Sequence, residues 1–292
     1  MIENDLWKSY RNLHEKHPRS DSEAKVGFYN QNSDFIKRSV NIQNPDVSIV
    51  IPAYNESDLI PRTLAGINSA LEYFPGNATV IIVNNSSTDD TKSIAEFFGA
   101  RVVDEKIKGI GRARQTGLEE SGKSRFILTT DADTVVPKQW IAAHYNLLNY
   151  SKANFTYGRI KFLLDSKMNV IDELSFCIYD QSCQLVHRIK ENKTKDIAVT
   201  GASNNGFNKE LALLVGGYNP SLRMGEDTDL MRKIAKYGNL EKVDTVVLTS
   251  ARRILGEGIV KRSISRLKAN LVNNSESKDY SGVDYKDYRE KN

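Results

Sequence analysis

Phe126-Ile127-Leu128-Thr129-Thr130-Asp131-Ala132-Asp133-Thr134 is a short apolar run that ends in two acids one residue apart. Such a run reads as a buried strand, and its carboxyl end is where open α/β sheets bind ligands, so Asp131 and Asp133 are expected in a crevice. Two carboxylates this close repel one another unless a cation or hydrogen bonds hold them. A divalent ion, Mg²⁺ or Mn²⁺, bridging to a phosphate meets that need. The plainer reading is a strand end followed by two solvated turn acids, and D-x-D alone does not choose between them.

Upstream, the β-branched run Val47-Ser48-Ile49-Val50-Ile51 is stopped by Pro52, and Ala53-Tyr54-Asn55-Glu56-Ser57 is a loop before the helical pattern Leu59, Ile60, Leu64, Ile67, Leu71. Residues 79–83 make a second strand, 84–90 a polar loop, and Ile94, Ala95, Phe97 and Phe98 a helix face. Residues 101–103 form a short third strand, and 109–114 open the next helix. Repeated βα units predict an α/β fold: a doubly wound, mostly parallel sheet flanked by helices.

Downstream, helices are expected over 140–148 and 168–189 and a strand over 155–160. Residues 197–200 are expected to be extended and to enter a loop at 201–206. A short helix over 209–215 ends at Gly216-Gly217, Glu226-Asp227 begin another helix, and 243–248 are a last strand. Acids in a first helical turn often only cap it and complement its dipole. Residues 1–46 read as a helical extension docked on a single main domain at 47–255, with a basic helix and frayed tail at 256–292.

The 292 residues carry 41 basic and 37 acidic side chains, a net charge of +4, with 39% hydrophobic and 27% charged residues. No run approaches the roughly 18 apolar residues that span a bilayer, and Met1-Ile2-Glu3-Asn4-Asp5 lacks the features of a signal peptide, so a cytoplasmic protein is expected. Cys177 and Cys183 are too few for a disulfide framework. The positive excess concentrates at 251–272, which argues against a nucleic-acid partner and for phosphate or peripheral contact with an anionic membrane surface.

The order of motifs from Val47 to about Arg253 resembles the family 2 glycosyltransferases and their GT-A fold. That resemblance divides the main domain into a nucleotide-binding half, 47–134, and an acceptor half, 135–255. It implies a metal-dependent, inverting enzyme that uses a UDP- or GDP-sugar and serves a glycan, lipid-linked or protein acceptor. On that likeness Pro52 opens the nucleotide loop, and Ala53, Tyr54 and Glu56 touch base and ribose. Asn85 stands where the family usually has the Asp that holds the base; its amide both accepts and donates.

Gly111-Arg112-Ala113-Arg114-Gln115 is similar to the family's helix start below the diphosphate, with Arg114 suited to phosphate. Asp131, with Ala132, would meet the ribose and Asp133 the metal. Asn204 and Asn205 fall in the acceptor loop, Glu226 beside it, and Asp227 would be the catalytic base, ionised at a positive helix end without special burial. The Thr249-Ser250-Ala251-Arg252-Arg253 stretch resembles a strand-to-loop exit of the family, which would bring basic residues to the pyrophosphate.

Two rivals weigh against this reading. A haloacid-dehalogenase-type phosphatase shares D-x-D-x-T, but its signature sits on a first strand, whereas at least two βα units precede it here. A non-catalytic sugar-nucleotide-binding module would be signalled by loss of Asp133 or Asp227, and both are present.

Overall fold

The computed structural model describes residues 22–39, 42–163, 202–222 and 225–252. The predicted elements at 168–189 and 197–200, both cysteines and nearly all of the basic 251–272 segment lie outside these residues. The described chain runs α1 (Ser22–Gln31), α2 (Asp34–Ser39), β1 (Val47–Ala53), α3 (Ile60–Tyr73), β2 (Ala78–Asn84), α4 (Thr91–Phe97), β3 (Arg101–Asp104), α5 (Ile110–Glu119) and β4 (Phe126–Thr129). It continues with β5 (Thr134–Val135), α6 (Trp140–Asn149), β6 (Phe155–Leu163), a 3₁₀ turn (Ala202–Asn204), β7 (Asn205–Asn208), α7 (Lys209–Leu214), α8 (Glu226–Ala235) and β8 (Leu240–Ser250).

The eight strands form one sheet in the order β3-β2-β1-β4-β7-β6-β8-β5. β3, β2, β1 and β4 are parallel, whereas β7 runs antiparallel between β4 and β6, and β5 antiparallel to β8. Every residue of β1 and β2 is buried, as a parallel sheet covered on both faces requires. The period of two divides β1 between layers. Val47, Ile49, Ile51 and Ala53 join the cluster that includes α3 and α6, while Val50 packs with Ala113, Leu118, Tyr218, Leu230 and Ile234 on the other face. Phe28, Tyr29 and Ile36 from the leading helices belong to the first cluster, and Asn68 Oδ1 accepts from Phe35 N–H at 2.9 Å. No helix among the described residues is long and apolar enough to cross a membrane.

Two strands differ from the sequence reading. Residues 205–208 were expected to belong to or follow a loop, because Asn and Gly disfavour strands. They form β7 because β4 and β6 pair with them on both sides. Thr134-Val135, too short to carry a pattern, becomes β5 by pairing with Thr249 and Leu248. The D-x-D is therefore the turn joining a strand of the parallel half to the far end of the sheet.

Candidate active site

The helix α5 lies unusually close to the sheet. A Cβ on Gly117 would stand 2.2 Å from Val50 Cγ1, so only glycine permits this approach. That approach delivers Arg114, 1% exposed, beneath the strand ends. Its Nη2 donates to Asp131 Oδ1 at 2.6 Å, its Nε to Glu226 Oε1 at 2.9 Å, and its Nη1 to Thr129 Oγ1. The other Asp131 oxygen accepts from Ser203 Oγ at 2.5 Å. Burial opposes the arginine's charge, but Asp131 and Glu226 outweigh it and raise its pKa. The phosphate contact expected of Arg114 does not fit this burial: the guanidinium clamps the D-x-D to the start of α8. Glu226, expected to face the acceptor, is buried and turned inward to that clamp.

The second Asp faces another arginine. Arg252, just beyond β8, donates to both carboxylate oxygens of buried Glu56, and its Nη2 stands 3.6 Å from Asp133 Oδ2. Thr249 Oγ1 donates to Asp133 Oδ1 at 3.1 Å, and Ser250 N–H to the Asp133 carbonyl at 3.2 Å. The two acids thus lead into two Asp–Arg–Glu chains, Asp131–Arg114–Glu226 and Asp133–Arg252–Glu56. The first is buried at its arginine, whereas the Arg252 side chain is 35% exposed. Glu56, expected at the base or ribose, is held by Arg252, and its backbone N–H donates to Thr91 Oγ1 at 2.7 Å.

Asp227 begins α8 beside Glu226, after Gly225 in the left-handed region at φ 81°, a conformation that favours glycine. Burial, then the neighbouring Glu226 charge, push its carboxyl up to about 7; Arg114 and the Thr228 N–H pull the other way. The expectation of an acid ionised without special burial is therefore corrected. A helix end offers less than burial and a like charge remove.

The nucleotide loops are laced together. Asn55 and Ser86, at the ends of β1 and β2, both adopt left-handed backbone, φ 51° and 62°, a strain of about 1 kcal/mol or more each. Hydrogen bonds hold them there: Asn55 N–H to Ser87 Oγ, Thr88 N–H to Asn55 Oδ1, and Ser86 Oγ to the Glu105 carbonyl. Asn85, expected at the base, instead binds the 105–109 loop. Its Nδ2 donates to the Glu105 and Ile107 carbonyls and its Oδ1 accepts from Gly109 N–H at 2.8 Å. Tyr54 keeps a position at the opening, where Lys108 Nζ donates to its hydroxyl at 2.8 Å.

Pro52, Ala53 and Ala132 are buried; the Ala53 carbonyl accepts from Asn85 N–H and the Ala132 carbonyl from Thr63 Oγ1. Their side chains offer a ligand nothing. Of the two acceptor-loop candidates, Asn204 is fully buried and saturated. Its Oδ1 accepts from Trp140 Nε1, His144 Nε2 and Thr245 Oγ1, and its Nδ2 donates to the Arg159 and Thr245 carbonyls. It pins the loop and cannot also bind an acceptor. Asn205, 2% exposed, has an Oδ1 with no hydrogen-bond partner among the described residues. It pairs across the sheet with Thr129, which places it on Arg114's side. Sequence reasoning did not single out Ser203, Thr249 or His144, because hydroxyls and a lone histidine carry no local pattern.

Among the described residues no three His, Cys, Asp or Glu side chains converge into a metal cage. Both oxygens of Asp131 have protein donors, whereas Asp133 already turns Oδ2 to a cation. That donor set fits an ion held by one carboxylate together with substrate phosphates, the usual Mg²⁺ arrangement.

A sheet whose strand ends carry these acids, arginines and laced loops has the GT-A fold. It aligns with the mannosyltransferase PcManGT of Pyrobaculum calidifontis, solved with GDP-Man and Mn²⁺, at a TM-score of 0.57 and 17% identity over 94% of this chain and 77% of that one. The family model described as glycosyl transferase family 2 matches residues 48–207, and the chain belongs to that family. It is 28% identical over 124 residues to the glycosyltransferase AglE of Haloferax volcanii, 40% of each chain. It is 31% identical over 104 residues to the dolichyl-phosphate hexose transferase of the same organism, 36% of this chain and 43% of that one. These matches span less than half the length of either relative.

Proposed function

We propose that the chain transfers a sugar from a UDP- or GDP-sugar to an acceptor hydroxyl, with inversion and with Mn²⁺ or Mg²⁺, in glycan biosynthesis. The observation that carries this reading is the division of labour among the acids. Asp131 and Glu226 are committed to Arg114, Asp133 turns toward Arg252, and among the described residues Asp227 alone of the four forms no salt bridge to an arginine, while burial and Glu226 push its carboxyl up to about 7. A single uncommitted base suits direct displacement by an acceptor hydroxyl, for which no protein nucleophile is needed.

In this mechanism Asp227 takes the hydroxyl proton as the acceptor oxygen attacks the anomeric carbon. Asp133 would hold a divalent ion, which when bound would supply charge neutralisation to the leaving diphosphate. Tyr54 and the strained loops after β1 and β2 shape the nucleoside end, and Asn205 Oδ1 offers a hydroxyl an acceptor atom beside the Arg114 clamp. The acceptor is a glycan, a lipid carrier or a protein.

The test is calorimetry of UDP and GDP with Mn²⁺ and with EDTA, in wild type and Asp133→Ala, followed by donor turnover. One nucleotide should bind at least tenfold more weakly without metal and in the variant. Affinity indifferent to both changes would remove the metal from this reading.

A further inference from the structure

The two Asp–Arg–Glu chains are alike in composition and unlike in setting, and the difference bears on how the donor enters. Arg114 is sealed against buried Glu226 as well as Asp131, and separating it from them would leave a buried charge uncompensated. Arg252's two acidic neighbours among the described residues, Glu56 and Asp133, hold it with different firmness. Glu56 is buried and accepts through both oxygens, whereas Asp133 Oδ2 lies 3.6 Å away, beyond hydrogen-bond distance, from an arginine side chain that is one-third exposed. Such a contact is electrostatic and readily exchanged.

A divalent ion bound to Asp133 would sit against this guanidinium, and two cations that close repel. A diphosphate arriving with the ion can take the place of Asp133 as an anion facing the arginine. Resting on the reading of the site given above, we propose that Arg252 is the resident counter-ion of Asp133 and that it exchanges this carboxylate for the donor's diphosphate while pivoting on Glu56. The arginine thereby suppresses binding of metal alone and couples metal to nucleotide, so the two enter together.

Mn²⁺ binding, followed by electron paramagnetic resonance with and without UDP or GDP, tests this without reference to turnover. Arg252→Gln should bind Mn²⁺ alone about tenfold more tightly than wild type, a change of about 1.4 kcal/mol, because the competing charge is gone. Nucleotide should then tighten Mn²⁺ by a smaller factor than in wild type. Arg252→Lys, which keeps the charge, should retain weak binding of metal alone. If Arg252→Gln bound Mn²⁺ alone no better than wild type, or if nucleotide tightened Mn²⁺ equally in both, the exchange would be overturned. Wild type that bound Mn²⁺ with neither nucleotide would instead overturn the underlying reading of the site.

Discussion

Asp227 holds its proton to about pH 7 because burial and the neighbouring Glu226 charge oppose its ionisation, and this makes its two roles separable by pH. As a base it acts when ionised, so transfer should rise with pH through about 7. In stability the sign is opposite: a folded-state pKa above the ordinary 3.8 contributes stability at low pH that is lost as pH rises through about 7. Asp227→Asn carries no charge to bury and keeps most capping ability. Its melting temperature relative to wild type should therefore climb between pH 5 and 8, while turnover falls on the order of 10²-fold or more. A variant with near wild-type transfer would make Asp227 structural.

At the scale of elements, α5 determines the site more than any loop does. It carries Arg114 to both acid motifs, and Gln115 Oε1 accepts from Tyr218 N–H at 2.8 Å, tying the Gly216-Gly217 turn to the same helix. Its register depends on the contact between Gly117 and β1. Gly117→Ala should lift the helix against Val50, a stiff β-branched side chain in the core, and destabilise the fold by about 1–3 kcal/mol in urea melts. The same variant should weaken binding of Mn²⁺ with nucleotide although residue 117 touches neither. Unchanged affinity in a destabilised variant would show that the site tolerates movement of α5.

Across the whole molecule, a buried polar knot ties α6 to the antiparallel part of the sheet and to the turn ending at Asn204. His144 Nε2 donates to Asn204 Oδ1 at 2.9 Å, and its Nδ1 lies 2.7 Å from Thr156 Oγ1, linking α6, β6 and the loop that carries Ser203. Burial pushes the imidazole pKa down from 6.5 to about 4. A lowered histidine pKa contributes stability that is present above 6.5 and lost as pH falls toward 4, here on the order of 3 kcal/mol. His144→Gln should be less stable than wild type at pH 7, with the gap narrowing toward pH 4. Urea melts whose gap stayed constant across that range would assign the acid sensitivity elsewhere.

Periodicity and punctuation in the sequence were enough for the βα units, because β1, β2 and β4 are continuous apolar runs buried on both faces and their helices repeat every 3.6 residues. They also placed both acids of the D-x-D and the Glu226-Asp227 pair at element ends. What no local pattern could decide was the partner of each polar side chain. Arg114 and Arg252 look alike in sequence, yet one is sealed between acids and the other stands at the opening. Asn204 and Asn205 are neighbours, the first closing the 3₁₀ turn and saturated, the second opening β7 with an acceptor atom unmet among the described residues. Strand pairing made β7 from residues with little strand preference and β5 from two residues too few to carry a pattern. Burial beside Glu226 moved Asp227 from an ordinary acid to one that titrates near neutrality. Hydrogen-bond partners and desolvation depend on segments up to 196 residues apart in the chain, as between Glu56 and Arg252, so only the folded molecule fixes them.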